Sequence, residues 1–152
     1  MSDPGLVTPS SCQDDPPPLV LLSVKLATVL NPKNLQNEVA MVGCLAHTSF
    51  SLDKPPTESY NQHYCLVTRP QDEAWPYDWA KVGQGQQENG ITRIEKASSE
   101  RELLSLLLTK IQKLDPDVVI GHDITGFDLE VLVHRSVIVA MVTVNFWNTV
   151  FN

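Results

Sequence analysis

An α/β domain with a mixed β-sheet and flanking helices is the fold class that the sequence predicts. Three apolar runs rich in β-forming residues lie before residue 70, and a helical pattern followed by a short apolar run lies after residue 98. The predicted order is therefore three strands, a helix, a strand and a second helix. Short connections favour an antiparallel arrangement of the first three strands, and the helical crossover favours a later strand parallel to the first.

The first predicted strand is LVLLSVKLA at residues 19–27, where only Ser23 and Lys25 interrupt the apolar residues. A nearly continuous apolar run is typical of a buried strand in the centre of a sheet. The polar turn NPKNLQN leads into a second strand, EVAMVGCLAH at 38–47, and a third follows as HYCLVT at 63–68. The proline-rich and polar segment between the second and third runs indicates a loop. A trio of strands connected by hairpins is therefore expected.

The clearest helical pattern covers residues 99–114. Ser99 followed three residues later by Glu102 is the signature of a capping box, and an Asp-Pro pair ends the helix. Apolar residues recur at helical spacing along it, at Leu103, Leu107, Leu108, Ile111 and Leu114. DVVIG at 117–121 then predicts a short buried strand, and a second helix is predicted at about 127–135.

Residues 70–97 contain three aromatic side chains, Trp75, Tyr77 and Trp79, among acids, glycines and glutamines. One interpretation is that these rings pack an irregular loop onto the domain. The other is that they form a docking surface for a partner. Both interpretations remain open from the sequence.

Charge and cysteine content limit the class of protein. The formal net charge of −7 repels phosphate, so the chain lacks the electrostatic footprint of a stand-alone nucleic-acid binder. Cys12, Cys44 and Cys65 are widely and irregularly spaced, which predicts neither a disulfide framework nor a zinc site. No basic segment followed by an apolar one marks a secretory signal at the start of the chain. The cytosol or the nucleus is therefore the expected compartment.

A short motif follows the predicted strand at 117–121, where Gly-His-Asp leads into Ile-Thr-Gly-Phe-Asp. It resembles the second exonuclease motif of the family B DNA polymerases, a helix-opening Asn-x-x-x-Phe-Asp. Phe127 and Asp128 match that motif, and Asp123 stands where the family usually has asparagine. PPLVLLSVKLAT, WPYDWAKV and DPDVVIGHDITGFDLEVLVHR also resemble the exonuclease-like domain of this family, over about residues 16–135. The resemblance implies an RNase-H-like fold, incomplete in this chain.

The resemblance also implies that most metal-binding acids of the domain are missing. Active relatives carry Asp-x-Glu on the first strand, where this sequence has Lys25 and Ala27. Residues two apart on a strand share a face, and two-metal cleavage needs several carboxylates to hold cations about 3.5–4 Å apart. No third motif, Tyr-x-x-x-Asp, follows, so Asp128 is the one matched acid and no metal site is expected. Asp128 is then interpreted as a structural residue of the first helical turn, and an ion pair with Lys25 is a further hypothesis.

Three segments are predicted from composition and resemblance. Residues 1–17 indicate a disordered linker, 18–135 the truncated exonuclease-like domain, and 136–152 a divergent apolar tail without a charged residue. The tail is shorter than the ~20 apolar residues that span a bilayer. An added edge strand and an aggregation-prone end are both possible interpretations of it. The preferred explanation of its origin is a truncated product, such as a read-through or an alternative end of a longer coding sequence.

The function implied by the resemblance is that of a fragment from the catalytic chain of a replicative polymerase. The fragment would carry an inactivated 3′–5′ exonuclease-like domain, a scaffold close to nucleic acid in DNA replication initiation. The parent would be a DNA-directed DNA polymerase, a nucleotidyltransferase with Mg²⁺ in its palm, and this chain would hold no cofactor. Implied partners are the RNA-primed DNA template, primase and accessory polymerase subunits, in the nucleus and without a membrane.

Two alternatives remain at this point. One is an active Mg²⁺-dependent 3′–5′ exonuclease, which Lys25 and Ala27 oppose. The other is a short isoform that binds replication partners through the aromatic loop.

Overall fold

The computed structural model describes residues 16–56, 59–70, 74–81 and 92–138 of the chain. Its elements are strands β1 (Leu19–Asn31), β2 (Gln36–Phe50), β3 (Gln62–Thr68) and β4 (Thr92–Ala97), helix α1 (Glu100–Leu114), strand β5 (Val118–Ile120), a π-helical turn (Ile124–Asp128) and helix α2 (Leu129–Ile138). The predicted linker and tail therefore lie mostly outside the described residues.

The five strands form one mixed sheet in the order β4-β3-β2-β1-β5. β2 is antiparallel to β1 and to β3, while β5 is parallel to β1. The structure thus confirms the antiparallel trio, the interior position of the first strand and the parallel orientation of the later one.

The turn between β1 and β2 is closed by asparagine side chains. The Oδ1 atom of Asn31 accepts a hydrogen bond from the backbone N–H of Lys33 at 2.9 Å, and that of Asn34 accepts one from Gln36 at 3.0 Å. Leu35 has a φ of 55°, and its N–H donates to the carbonyl of Asn31 at 2.8 Å. Asparagine bonded to the backbone two residues on is a common way to fix a polar turn, which explains why NPKNLQN makes a hairpin.

The hydrophobic core lies between the sheet and the two helices, which contact each other and β2. Alternate residues of the strands point into this layer, as the period of two requires. The first strand is therefore buried on one face and not on both, which corrects the expectation from its nearly continuous apolar run. Burial raises the pKa of the Cys44 thiol to about 12. The main core residues are Leu22, Val24, Leu26, Val39, Val42, Cys44, Ala46, Leu66, Leu103, Leu104, Leu107 and Ile111.

Helix α1 begins and ends as predicted. The hydroxyl of Ser99 accepts a hydrogen bond from the N–H of Glu102 at 3.3 Å. The Glu102 carboxylate, however, accepts from the N–H of Ser98 at 2.7 Å, one residue before the position that a capping box predicts. Hydrogen bonds from Ser98 lower the pKa of the Glu102 carboxyl. At the other end Asp115 adopts a φ of 47°, and its N–H donates to the carbonyl of Ile111 at 2.9 Å.

Strand β4 is absent from the sequence prediction. It runs parallel to β3 at the edge of the sheet, and of its six residues only Ala97 is buried. Its sequence, TRIEKA, contains three charged residues, as edge strands often do. A strand of this kind has no apolar run by which it could be recognised.

Strand β5 corrects a second expectation, because it is exposed where a buried strand was predicted. Val118, Val119 and Ile120 are 41%, 37% and 48% exposed. β5 has three residues and pairs with β1 on one side only. Within the described part of the chain, no strand pairs with its outer edge. The helix predicted after it at 127–135 is present, and it spans Leu129–Ile138 behind the π-helical turn.

No helix among the described residues is long and apolar enough to cross a bilayer.

Candidate functional site

The acid that ends the motif, Asp128, forms an ion pair with Lys25 of β1. The ammonium Nζ of Lys25 lies 3.2 Å from Oδ2 and 3.4 Å from Oδ1 of Asp128. The Asp128 side chain is 1% exposed, whereas that of Lys25 is 59% exposed. The hypothesis of a pair between these two residues is confirmed. Asp128 is therefore a buried carboxylate whose charge is balanced by a half-exposed ammonium.

Ala27 lies two residues beyond Lys25 on β1, so both residues belong to the same face of the sheet. Lys25 pairs with Gly43 of β2 and Ala27 with Met41, and the register shifts directly after Ala27. Gly43 has no side chain, which leaves space on this face beside the lysine. The strand thus presents one cation and one methyl group at the two positions where the resemblance predicts the acids of an active enzyme.

Asp128 is positioned by the π-helical turn. The N–H groups of Phe127 and Asp128 both point to the carbonyl of Asp123, at 3.0 and 3.5 Å, and the N–H of Leu129 donates to Ile124. Single π-helical turns are uncommon and concentrate at functional sites. Here the turn directs the Asp128 side chain toward β1, while the following residues continue as helix α2.

Asp123 does not join the pair. It adopts a left-handed conformation with φ of 55° and is exposed, and its side chain makes no capping bond. Its carboxylate lies over Gly126, since a Cβ added there would be 2.3 Å from Oδ1 of Asp123. Phe127 is 38% exposed and lines a cavity of about 270 Å³ with Glu130 and His134. Of the three motif residues, only Asp128 contacts Lys25 among the residues described.

Two glycines of this region should respond differently to alanine. At Gly121 the new Cβ would meet the carbonyl oxygen of Val24 and the Cβ of Ile124, each at 3.0 Å. Neither atom can move without the backbone, so we expect Gly121→Ala to cost about 1–3 kcal/mol. At Gly126 the crowding atom is the end of the exposed Asp123 side chain, which can rotate away. Gly126→Ala should therefore cost less than about 1 kcal/mol, and urea denaturation of both variants compares them. Equal losses would contradict this difference.

A buried arginine at the end of the motif region is a residue that the sequence did not single out. Arg135 donates from Nε to Oε1 of Glu100 at 2.8 Å, and its Nη2 is hydrogen-bonded to the other oxygen of Glu100. Its Nη1 donates to the side-chain oxygen of Gln36 at 3.2 Å, and its Nη2 lies 3.9 Å from Oε1 of Glu38. Hydrogen bonds to Glu100 raise the pKa of the Arg135 guanidinium. The sequence signal that could have identified Arg135 is its position as a single arginine within an apolar helix, because an unpaired charge buried there would be costly.

Two tryptophans of the aromatic segment, Trp75 and Trp79, pack beside strand β4. The rings of Trp75 and Trp79 lie 4.5 Å apart between centroids, and the ammonium of Lys96 on β4 is 5.1 and 5.2 Å from them. Contacts of this kind favour the interpretation that the tryptophans fix the loop to the domain. Tyr77 is fully exposed, so it does not take part in that packing.

The donor set does not fit a catalytic metal. In the described ranges, no group of three or more histidine, cysteine, aspartate or glutamate side chains could hold an ion. At Asp128 itself the carboxylate is already bonded to a cation. Two-metal cleavage requires several carboxylates around the ions, and this arrangement supplies one that is neutralised.

Comparison with known proteins agrees with the motif. The family described as DNA polymerase family B, exonuclease domain, matches residues 2–150. The DNA polymerase alpha catalytic subunit of Xenopus laevis is 43% identical over 136 residues, which are 89% of this chain and 9% of that protein. The mouse (Mus musculus) protein of the same name is 40% identical over 121 residues, 79% of this chain and 8% of that protein. Its counterpart in Drosophila melanogaster is 37% identical over 123 residues, 80% of this chain and 8% of its own length.

The chain thus spans less than a tenth of the length of these relatives. The family match extends on both sides beyond residues 18–135, and the division into a linker, a domain and a divergent tail stays a prediction. Because the match covers almost the whole sequence and the mixed sheet carries flanking helices, the chain belongs to the exonuclease domain of the family B DNA polymerases, with its RNase-H-like fold.

Proposed function

We propose that this chain is the exonuclease-like domain of a DNA polymerase alpha catalytic subunit, in which phosphodiester cleavage has been lost. The observation that carries the proposal is the ion pair between Lys25 and Asp128, with 3.2 Å between Nζ and Oδ2. The similarity to alpha catalytic subunits, at 43% and 40% identity for the frog and mouse proteins, supports the choice of polymerase.

The loss of cleavage follows from electrostatics. A lysine ammonium beside Asp128 repels a divalent cation and already satisfies the carboxylate that the cation would need. Ala27 offers a methyl group where a second ligand is required. A cation at this place would have to displace Lys25 and bind with one carboxylate, which is a poor site for Mg²⁺, an ion that loses its water reluctantly.

The proposed role is that of a scaffold in DNA replication initiation, within the nucleus. The longer relatives are named as catalytic subunits of a DNA polymerase, and the parent of this chain would be such a nucleotidyltransferase. Its nucleotide binding and its Mg²⁺ would belong to the palm, outside this chain. RNA-primed template, primase and accessory subunits are the proposed partners of that parent.

Two alternative functions, an active exonuclease and a partner-binding isoform, predict experimental results that differ from those of the scaffold. An active Mg²⁺-dependent 3′–5′ exonuclease is opposed by the Lys25–Asp128 pair. A short isoform that binds replication partners is favoured by one observation, the full exposure of Tyr77. Exchange of Tyr77 for serine should then abolish such binding without lowering the melting temperature.

Metal titration tests the vestigial site directly. The unmodified chain should show no rise in melting temperature with millimolar Mg²⁺ or Mn²⁺ and no cleavage of a 3′ end. The variant Lys25→Asp with Ala27→Glu should melt at a lower temperature without metal, because two new carboxylates face the buried Asp128. Mn²⁺ should restore its melting temperature, since a ligand of the native state stabilises it by about 2.7 kcal/mol at a hundredfold excess over Kd.

A third substitution serves as the control. Asp128→Asn in the restored variant should abolish the rise caused by Mn²⁺, whereas metals bound elsewhere would leave it unchanged. Metal-dependent nuclease activity in the rigorously purified, unmodified chain, lost on Asp128→Ala, would overturn the proposal in favour of the exonuclease.

A further inference from the structure

A second cavity lies apart from the Lys25–Asp128 pair, since neither residue of the pair lines it. It has a volume of about 560 Å³ and lies between the second half of α1 and the starts of β1, β3 and β4. Its polar lining includes Gln62, Tyr64, Arg93, Glu95, Lys110 and Lys113. We call this cavity the basic cleft. The Lys25–Asp128 pair, in contrast, joins the middle of β1 to the π-helical turn that follows β5, so the two places are separate.

The charge of the basic cleft is opposite to that of the chain. Three cations line it against one carboxylate, which gives the lining a net charge of +2, while the chain as a whole carries −7. Lys110 is bound within the cleft, with its Nζ 2.6 Å from Glu95 and 4.2 Å from the ring centroid of Tyr64. Arg93 and Lys113 are exposed, and neither forms an ion pair with any residue that the structure describes. Two cations are thus free to meet an anion.

The arrangement of these groups fits a phosphodiester better than a metal or an apolar ligand. The arginine fork binds two phosphate oxygens at once, and a lysine adds a point charge. The volume is within the range of about 300–1,000 Å³ usual for small-ligand sites. Gln62, which accepts a hydrogen bond from the Tyr64 hydroxyl, adds amide donors at the rim. The contacts of Lys110 with Glu95 and Tyr64 fix one wall of the cleft. They do not involve Arg93 or Lys113, which stay available for a ligand.

We propose that the basic cleft binds the phosphodiester backbone of a single-stranded nucleic acid through Arg93 and Lys113. The choice of a nucleic acid, and not an acidic peptide, rests on the proposed function, because a polymerase domain lies next to such strands. The binding is weak and sensitive to salt, since two contacts release few counterions and the remaining surface is negative. It involves no chemistry at Asp128, so it is independent of whether the vestigial site binds metal.

The experiment measures binding of a fluorescent oligothymidine of about 12 nucleotides, a length suited to one small domain, by anisotropy over a range of salt concentrations. The variant Arg93→Gln with Lys113→Gln removes the two free cations. Lys33→Gln with Arg101→Gln is the matched control, because it removes the same charge from exposed residues that do not line the cleft. Melting temperatures of both variants are measured to show that they are folded.

We expect the cleft variant to bind about tenfold more weakly at low salt, and its slope of log affinity against log salt to fall by about 1.4, or 0.7 for each lost contact. The control should stay within about twofold of the unmodified chain, because only the general charge changes. Equal losses in both variants, or no binding by the unmodified chain at low salt, would overturn the proposal.

Competitors distinguish the sources of phosphate. If thymidine monophosphate or inorganic phosphate displaces the oligonucleotide at equal concentration, the ligand is a free phosphate. That result would overturn the proposal that the cleft binds a single-stranded nucleic acid. A polyglutamate peptide of equal charge that displaces it equally well would assign an acidic partner instead. Since nuclease and metal assays do not involve Arg93 or Lys113, failure of this inference leaves the proposed loss of cleavage untouched, and the reverse also holds.

Discussion

Replacement of Arg135 by methionine is expected to lower the free energy of unfolding by about 3–5 kcal/mol. The guanidinium is bonded to Glu100 and Gln36, with side-chain exposures of 7% for Arg135 and 14% for Glu100. Its removal leaves Glu100 and Glu38 in a confined space without their cation. Glu100 also accepts the N–H of Val39 at 2.8 Å, so the loss affects the junction of α1, α2 and β2. Urea denaturation measures the change in midpoint.

Arg101→Met is the matched control, because Arg101 is adjacent to Glu100 on α1 but exposed. It should change stability by no more than about 0.5 kcal/mol. Arg135→Lys should recover only part of the loss, since an ammonium cannot reproduce the two parallel bonds to one carboxylate. A loss below about 1 kcal/mol for Arg135→Met would mean that this pair contributes no more than a surface ion pair.

The second large effect is expected at the Lys25–Asp128 pair. Lys25→Met should cost about 2–4 kcal/mol, less than for a fully buried pair because the lysine side chain is 59% exposed. The carboxylate of Asp128, at 1% exposure, then has no cation, and no other side-chain bond to it is present in the described ranges. Asp128→Asn removes the charge from the same position and keeps the shape.

A double-mutant cycle isolates the pair. Lys25→Met with Asp128→Asn should be more stable than the sum of the two single losses predicts, by an interaction energy of about 1–3 kcal/mol. Charge reversal at both positions gives a second measure. If the two single losses simply add, the ion pair contributes nothing to stability and the contact is incidental.

Much of the sheet could be predicted from the sequence because its inner strands are apolar and their connections short. A short asparagine-rich turn connects the apolar runs LVLLSVKLA and EVAMVGCLAH. This connection favours their pairing as a hairpin. β4 could not be found in this way, since an edge strand with three charged residues resembles a loop. β5 resembled a buried strand because its residues are apolar, although its position at the edge leaves them exposed.

Of the candidate site, the contact between Lys25 and Asp128 could be predicted from the sequence, whereas the local geometry around it could not. The resemblance indicated that Lys25 and Ala27 occupy the places of two acids, and a pair of Lys25 with Asp128 followed as a hypothesis because opposite charges attract. The orientation of Asp123 away from this pair depends on a left-handed backbone and a π-helical turn, which composition does not encode. The bonds of Arg135 depend on three elements that meet only in the folded chain.

The pairing of β1 with β5 also governs the time at which the domain can fold during synthesis. The hydrogen bond from Val20 to Asp117 joins residues 97 positions apart. About 50 residues separate β3 from β5, which corresponds to roughly 3–10 s of translation at about 5–20 residues per second. During that interval the hairpins of β1, β2 and β3 can form locally. The edge of β1 that later pairs with β5 is still unpaired. A nascent chain paused before Asp117 therefore presents an open strand to chaperones and to neighbouring chains on the same polysome.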